Sequence, residues 1–562
     1  MYPLLRSFVA AVFFFVLLIP ACAQESSMSL ADYARKVQGQ KSAPASQPAQ
    51  APAAGETLAD RARDLQAKDL AKVKISPEQA RQVLKSVDTL IHFASEDSGL
   101  PIHTTVKRRM ISRDDLVSTM EARKQNDEET KRLQAQELAL KKFGYLPRVF
   151  STSKFVQKMY AERIAGYYDF RTKEISLLSW IAPEEQFDVL AHELTHALQD
   201  QNFNLLTWGR ENISRKRGAG AFQVTASESL PESVARLSVV EGQAMVGLID
   251  HQLQERGIGV TLEHLPGASE AVAQYMAMVL PDTPAIHSAP VFLRDAMLFP
   301  YREGLIFELD LLQKGGKPMA FNDVFAHPPV NTHQVLHSQA YLMKEKMHTP
   351  VIPEVGALLG DQYEIADSGG MGELDVRSLI KQLSGTRLAD SISRGWRGGS
   401  YMVLKRKEVP TDQATTADVA LMYVSDWDSL EIARRFARFY ADGVARRYTQ
   451  VSPIAVDCKG NDCPVENFQF NTEEGLITIE CRSDNLVLIT ESLAPTVAGA
   501  VTAAMAKANS GPGSRKSAAA IMPDLSLRYA ASPAFAGLRN TWANEMIREL
   551  ATETLHIAGE TH

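Results

Sequence analysis

The sequence predicts an α+β chain whose helical and strand-bearing segments are segregated along its length. Apolar residues recur at helical spacing from about 58 to 142, and an alternating stretch at Gly166–Leu177 precedes two long helical patterns. Beyond Pro353, short alternating runs mix with helices. The 562 residues are 45% apolar and 23% charged, which excludes a collagen-like, coiled-coil or mostly disordered protein. The net charge of −7, from 60 basic and 67 acidic residues, comes without any long basic run interleaved with aromatics, so nucleic acid is not an expected partner.

Residues 1–23 read as a signal peptide: Arg6 precedes an apolar run from Phe8 to Ile19 that is too short to span a bilayer. Ala21-Cys22-Ala23 fits a small-x-small cleavage site, while Ile19-Pro20-Ala21-Cys22 resembles a lipobox in which Cys22 would carry a lipid. Export is therefore expected, either as a secreted or periplasmic protein or as one lipid-anchored to the cell envelope through Cys22. Residues 24–58, rich in Ala, Pro, Gln and Ser, form a spacer too poor in large apolar side chains to order itself. Of the four cysteines, Cys458, Cys463 and Cys481 would remain after cleavage, which allows one disulfide and one free thiol, with Cys458 and Cys463 the closest pair.

A helical segment spans 59–145, with helices at Pro77–Ser95 and from Ser112, where Asp114 and Asp115 fall in the first turn. A segment at 146–352 opens with the hairpin GYYDFRTKEISLL and continues into helices from about Pro183 to Gln201 and Pro231 to Arg256. A separate α+β domain covers 353–508. It has strands at Tyr401–Leu404, Val419–Val424, Leu476–Cys481 and Leu486–Thr490, and helices at Ser429–Arg447 and Pro495–Lys507. Asp428 is the expected cap of the first of these helices, with Glu431 completing the box. Residues 509–562 form a linker and a partly helical tail.

The chemistry concentrates in VLAHELTHALQDQ, residues 189–201. With 13 His in the chain, H-E-x-x-H should arise by chance only roughly 0.02–0.03 times. On a helix, His192 and His196 lie about 40° apart and can bind one zinc ion through imidazole nitrogens. Glu193 sits at the rim of that face, where it can serve as general base toward water rather than as a ligand. Phe187, Leu190, Ala191, Leu194 and Leu198 fall on the opposite side, so the helix is expected to pack behind and present the metal in front.

Catalytic zinc sites usually take three protein ligands. Glu241, in LSVVEGQAMVGL, is the expected third. It falls among Val234, Leu237, Met245 and Leu248, about 180° from a polar stripe of Glu232, Arg236, Gln243 and Asp250. A carboxylate in an apolar stripe costs several kcal/mol unless something pairs it, and zinc would. The mid-helix Gly242 implies that another backbone passes close by.

HELTH followed by a helix bearing Glu-Gly-x-Ala resembles the gluzincin division of HExxH zinc metallopeptidases. The gap between His196 and Glu241 is longer than in thermolysin-like members and leaves room for an inserted loop around Trp208–Thr225. More closely, the chain resembles a little-characterised group of predicted secreted prokaryotic metallopeptidases. The shared stretches are AGYYDFRTKEI, AHELTHALQDQ, VVEGQA, FPYREGLIF, HPPVNTHQVLHSQAYL, RGWRGGSYMVL and SDWDS. The resemblance implies a zincin-like catalytic domain at 146–352, with a small twisted sheet over the active-site helices whose edge strand holds an extended peptide. It also makes Tyr301 and His337 the candidate donors to the developing oxyanion.

His333 and His337 repeat the four-residue spacing of a metal pair, but Gln334 stands where a catalytic Glu would, so the sequence favours a single metal centre. Asp200, one turn past His196, is placed to orient a ligating imidazole or to remain a solvated charge near the helix end. The expected function is an exported zinc metallopeptidase acting on peptide or protein substrates, with Glu193 as base and His192, His196 and Glu241 on the ion. Two alternatives stay open: a zinc hydrolase of non-peptide amides, and an inactive cell-envelope binding protein with structural zinc.

Overall fold

The computed structural model describes residues 75–112, 115, 127–155, 166–181, 183–208, 234–257, 259–265, 267–278, 284–456, 463–510 and 516–517. All of them fall within one compact unit, Leu70–His562. The expected signal peptide, the 24–58 spacer, most of the inserted loop, Cys22, Cys458 and the tail beyond 517 lie outside these residues.

Helix α1 (Pro77–Ser98) starts at a capping box in which Ser76 and Gln79 exchange hydrogen bonds, and it stops at Gly99, whose φ of 74° is the left-handed end glycine supplies without strain. Strand β1 (Lys107–Ile111) follows, inside a stretch whose periodicity reads as helical. Its sequence, KRRMI, carries three cations and shows no apolar alternation, so parallel pairing with a later strand, rather than propensity, makes it a strand. Helix α2 (Asp127–Phe143) comes next.

Strands β2 (Gly166–Asp169) and β3 (Glu174–Leu178) form the expected hairpin. Asp169 closes its turn by accepting from the N–H groups of Arg171 and Lys173, and Lys173 takes a left-handed φ of 56°. The small sheet has the order β1-β3-β2, which leaves β2 on the edge. Two long helices follow, α3 (Pro183–Phe203) and α4 (Val234–Glu255), and then α5 (Val291–Lys317). Helix α3 packs against α1, α4 and β2, and α4 packs against α3 and α5.

The expected division of α3 and α4 into apolar and solvated faces is not what the fold shows. From Val189 to Asp200 every residue of α3 is buried, and Gln243 and Asp250 of the expected polar stripe are buried as well. With neighbours on several sides, the polar face of each helix becomes an interior hydrogen-bonding surface.

Beyond residue 353 the chain forms a fully antiparallel seven-stranded sheet. It comprises β4 (Tyr363–Gly370), β5 (Trp396–Arg406), β6 (Val419–Trp427), β7 (Val451–Ile454), β8 (Glu466–Thr472), β9 (Gly475–Cys481) and β10 (Leu486–Leu493). Their spatial order is β4-β5-β6-β10-β9-β8-β7. Helices α6 (Glu373–Ser384) and α7 (Thr386–Ser393) fall between β4 and β5, α8 (Leu430–Arg447) follows β6, and α9 (Pro495–Asn509) closes the fold. Ser429, not Asp428, caps α8, with its hydroxyl accepting from the N–H of Ile432. β6 shows why the sheet holds both of its faces. Val419, Leu421 and Tyr423 join the core under α8, while Ala420, Met422 and Val424 join the core under α9.

Two large cores meet along α5. Phe292, Leu293 and Met297 pack with the seven-stranded sheet, whereas Phe299, Tyr301 and Leu305 pack with α3 and α4. Pro300 lies inside this helix, and Tyr301 is a mid-helix residue. Cys463 is disulfide-bonded and Cys481 is a buried free thiol. No helix among the described residues is long and apolar enough to cross a membrane.

α2, although early in the chain, completes the core of the large sheet. Its Lys142 is wholly buried and donates to Glu474 at 2.8 Å, to the Ser492 hydroxyl at 2.7 Å and to the Thr416 carbonyl at 3.0 Å. Burial pulls the Lys142 pKa down, against the opposing pull of Glu491 and Glu474. Lys142→Met is expected to destabilise the chain by about 3 kcal/mol, because it strands part of a buried carboxylate network. Urea unfolding of the purified variant measures the loss.

Candidate metal centre

α3 and α4 bring His192, His196 and Glu241 together, 49 residues apart in sequence at the widest. The two imidazole Nε2 atoms are 3.0 Å apart, and they lie 3.2 and 3.3 Å from Glu241 Oε2. Ligands about 2.0–2.1 Å from a tetrahedral ion are separated by about 3.3 Å, so this triangle of donors has the size that such an ion requires. All three residues are buried, which makes an uncompensated carboxylate costly. On donor chemistry and spacing, a metal ion fits this group.

Gly242 allows the meeting. A Cβ on Gly242 would lie 2.4 Å from the Gly304 carbonyl oxygen of α5, and one on Gly304 would lie 2.4 Å from the carbonyl oxygen of Ser238. The two helices touch backbone to backbone, as the mid-helix glycine implies, and Glu241 is held one residue from the contact.

The second nitrogen of His196 is fixed by Gln199. His196 Nδ1 lies 2.9 Å from Gln199 Oε1, and the Gln199 amide nitrogen donates to the Val240 carbonyl and to Gln243 Oε1. Since that amide nitrogen is committed to two acceptors, its oxygen must face the imidazole. His196 therefore donates from Nδ1 and leaves the Nε2 lone pair for a metal. Asp200 does not play this part. It accepts from the Tyr168 hydroxyl at 3.0 Å and the Leu205 N–H at 3.0 Å, and it pairs with Lys173 at 3.2 Å. Gln199 was legible in principle, because it lies three residues past His196 on the same helix face.

Glu193 lies outside the donor group, and its Oε2 accepts from the backbone N–H of Tyr168 at 2.8 Å. That N–H belongs to the strand at the edge of the sheet among the described residues and points away from β3, so the outer side of β2 faces Glu193. Burial, followed by the Asp200 charge, pushes the Tyr168 phenol pKa far up and keeps it a donor.

Tyr301 is buried on α5, the helix packed against the Glu241 helix. The structure groups His337 with His333, the pair whose spacing the sequence showed, and adds Glu373, which sequence reasoning missed; the three could hold a metal ion. Its third member stands 36 residues from His337 with no motif around it. Comparison with protein-family models, with curated proteins and with solved structures finds no match to this chain.

A second consequence of the crowded α4 is electrostatic. The carboxyl groups of Asp250 and Asp97 of α1 are buried and hydrogen-bonded to each other. Burial first, and then the charge of Asp97, raises the Asp250 pKa well above the carboxylate range. The folded state therefore holds a proton that the unfolded chain releases at about pH 4. The stability this proton confers is complete below that pH and is lost as pH climbs toward the raised value. Asp250→Asn keeps an oxygen to accept from the Leu262 N–H. The variant should gain on wild type as pH rises from 5 to 8, with a melting midpoint higher by on the order of 2 °C at pH 8. Thermal melts across that range would show no trend if the pair were ionised. For the helix contact, Gly242→Ala should cost about 2 kcal/mol or more by forcing α4 from α5. Its metal content after dialysis should fall with Glu241 displaced.

Proposed function

We propose that the protein is an exported zinc metallopeptidase of zincin-like architecture, with its catalytic centre at His192, His196 and Glu241. The observation that carries this reading is the donor triangle of 3.0, 3.2 and 3.3 Å beside a carboxylate, Glu193, that stays outside it. Two imidazoles and a carboxylate are a donor set of catalytic zinc, and zinc, when bound, supplies Lewis-acid polarisation of a carbonyl and acidifies water.

The chain's own residues account for the rest. Glu193 takes the proton of the attacking water and returns it to the leaving amine. The hydrogen bond from the Tyr168 N–H holds its carboxylate in position by one oxygen. Gln199 locks His196 in the tautomer that offers Nε2. β2, at the edge of the sheet among the described residues, can pair with an extended substrate backbone through groups other than the Tyr168 N–H, which favours broad side-chain specificity. Tyr301 is the remaining candidate for the oxyanion donor, since it lies on the helix that packs against Glu241. Export rests on the apolar run at Phe8–Ile19.

The test compares Glu193→Gln and Glu241→Ala with wild type on unfolded protein substrates, with zinc measured in each. Glu193→Gln should lower turnover roughly 10²–10⁴-fold with zinc retained. Glu241→Ala should lose the ion of this centre. Unchanged turnover in Glu193→Gln would remove the peptidase reading.

A further inference from the structure

We propose that His333, His337 and Glu373 form a second metal site, for a divalent ion of the zinc class, which clamps the short helix Thr332–Leu336 to the start of α6. One donor atom from each residue lies within 4.8 Å of the others. Glu373 Oε2 is 2.6 Å from His333 Nδ1 and 3.1 Å from His337 Nε2, and the Ser393 hydroxyl donates to Oε1 at 3.3 Å.

Charge is the first argument. Glu373 is 1% exposed, and among the described residues its ion-pair partners are these two imidazoles, with no Lys or Arg. Histidine supplies a full countercharge only when protonated, whereas a divalent ion supplies one with both imidazoles neutral. Imidazole, imidazole and carboxylate are donors that zinc accepts and that magnesium and calcium disfavour.

Geometry is the second. His333 turns Nδ1 to Glu373, while its Nε2 lies 3.8 Å from Glu345 Oε2, so a carboxylate stands behind the ligating ring. The His337 side chain is 31% exposed, which gives an ion an entry path and leaves a coordination position toward solvent.

The surroundings make this a clamp rather than a second reaction centre. Gln334 takes the place that Glu193 holds in the first motif, and it is occupied in structure. Its Oε1 accepts from the Val330 N–H and its Nε2 donates to the Glu345 carbonyl. Val335 and Leu374 belong to the core of α3 and α4, whereas Val376 and Trp396 belong to the core of the large sheet. An ion here would tie the two cores where they meet.

The test is metal stoichiometry of the full chain after equilibration with zinc and dialysis, together with cobalt(II) absorption. Wild type should hold two equivalents, His192→Ala/His196→Ala one, and Glu373→Gln one fewer than wild type. Added zinc should raise the melting midpoint of His192→Ala/His196→Ala by several degrees, and the further change Glu373→Gln should abolish that rise. A folded His192→Ala/His196→Ala chain that takes up no zinc or cobalt overturns the proposal. So does an unchanged metal content in Glu373→Gln, which decides the matter even where the double variant does not fold. The outcome is separable from the first centre: were that centre empty, Glu373→Gln would take the count from one to none.

Discussion

Glu241 has to be neutralised, and much of the architecture around it follows from that requirement. Its carboxylate is buried on a helix whose every residue from Leu237 to Leu253 is buried. Desolvating a lone carboxylate costs far more than a domain can spare. The imidazoles of α3 sit where a cation shared by all three groups would meet the charge. Reaching that position requires α4 and α5 to touch at Gly242 and Gly304, because any side chain there would collide with a carbonyl. A backbone contact, a buried acid and a pair of histidines are thus one arrangement seen from three helices.

The hairpin completes it by a different physical route. Tyr168 reaches α3 twice, through its N–H to Glu193 and through its hydroxyl to Asp200, and Lys173 adds an ion pair to the same Asp200. An edge strand is thereby locked against the helix that carries His192 and His196. Glu193 and the strand edge are positioned by the same residue, so loss of the hairpin register would disturb both.

The large sheet stabilises the assembly from the far side. Alternation along β6 and β10 feeds two cores at once, and α2 and the first turns of α5 fill the one that faces the rest of the chain. The buried acids and bases in that core, Lys142 with Glu474 and Arg447 with Glu491, are joined by direct ion pairs of 2.8 and 2.7 Å. They meet the charge requirement by pairing with each other, whereas Glu241 and Glu373 each lie beside a pair of imidazoles.

Much of the first centre was legible in the chain alone. His192, Glu193 and His196 lie within five residues on one helix, where spacing is geometry, and Glu241 betrayed itself as an acid in an apolar stripe beside a glycine. The α+β class, the hairpin and the long helices followed from periodicity for the same reason, since each reports a local repeat. Strand β1, the caged polar faces of α3 and α4, the role of Gln199 and the union of Glu373 with His333 and His337 did not. A strand of cations becomes a strand by pairing with β3. A polar stripe is interior or solvated according to what packs on it, and a lone Glu at the start of α6 acquires meaning only when a distant turn folds against it. Local spacing is written in the sequence because the helix converts it directly into distance. Contacts between elements far apart in the chain are set by tertiary packing, and there the three-dimensional structure alone decided.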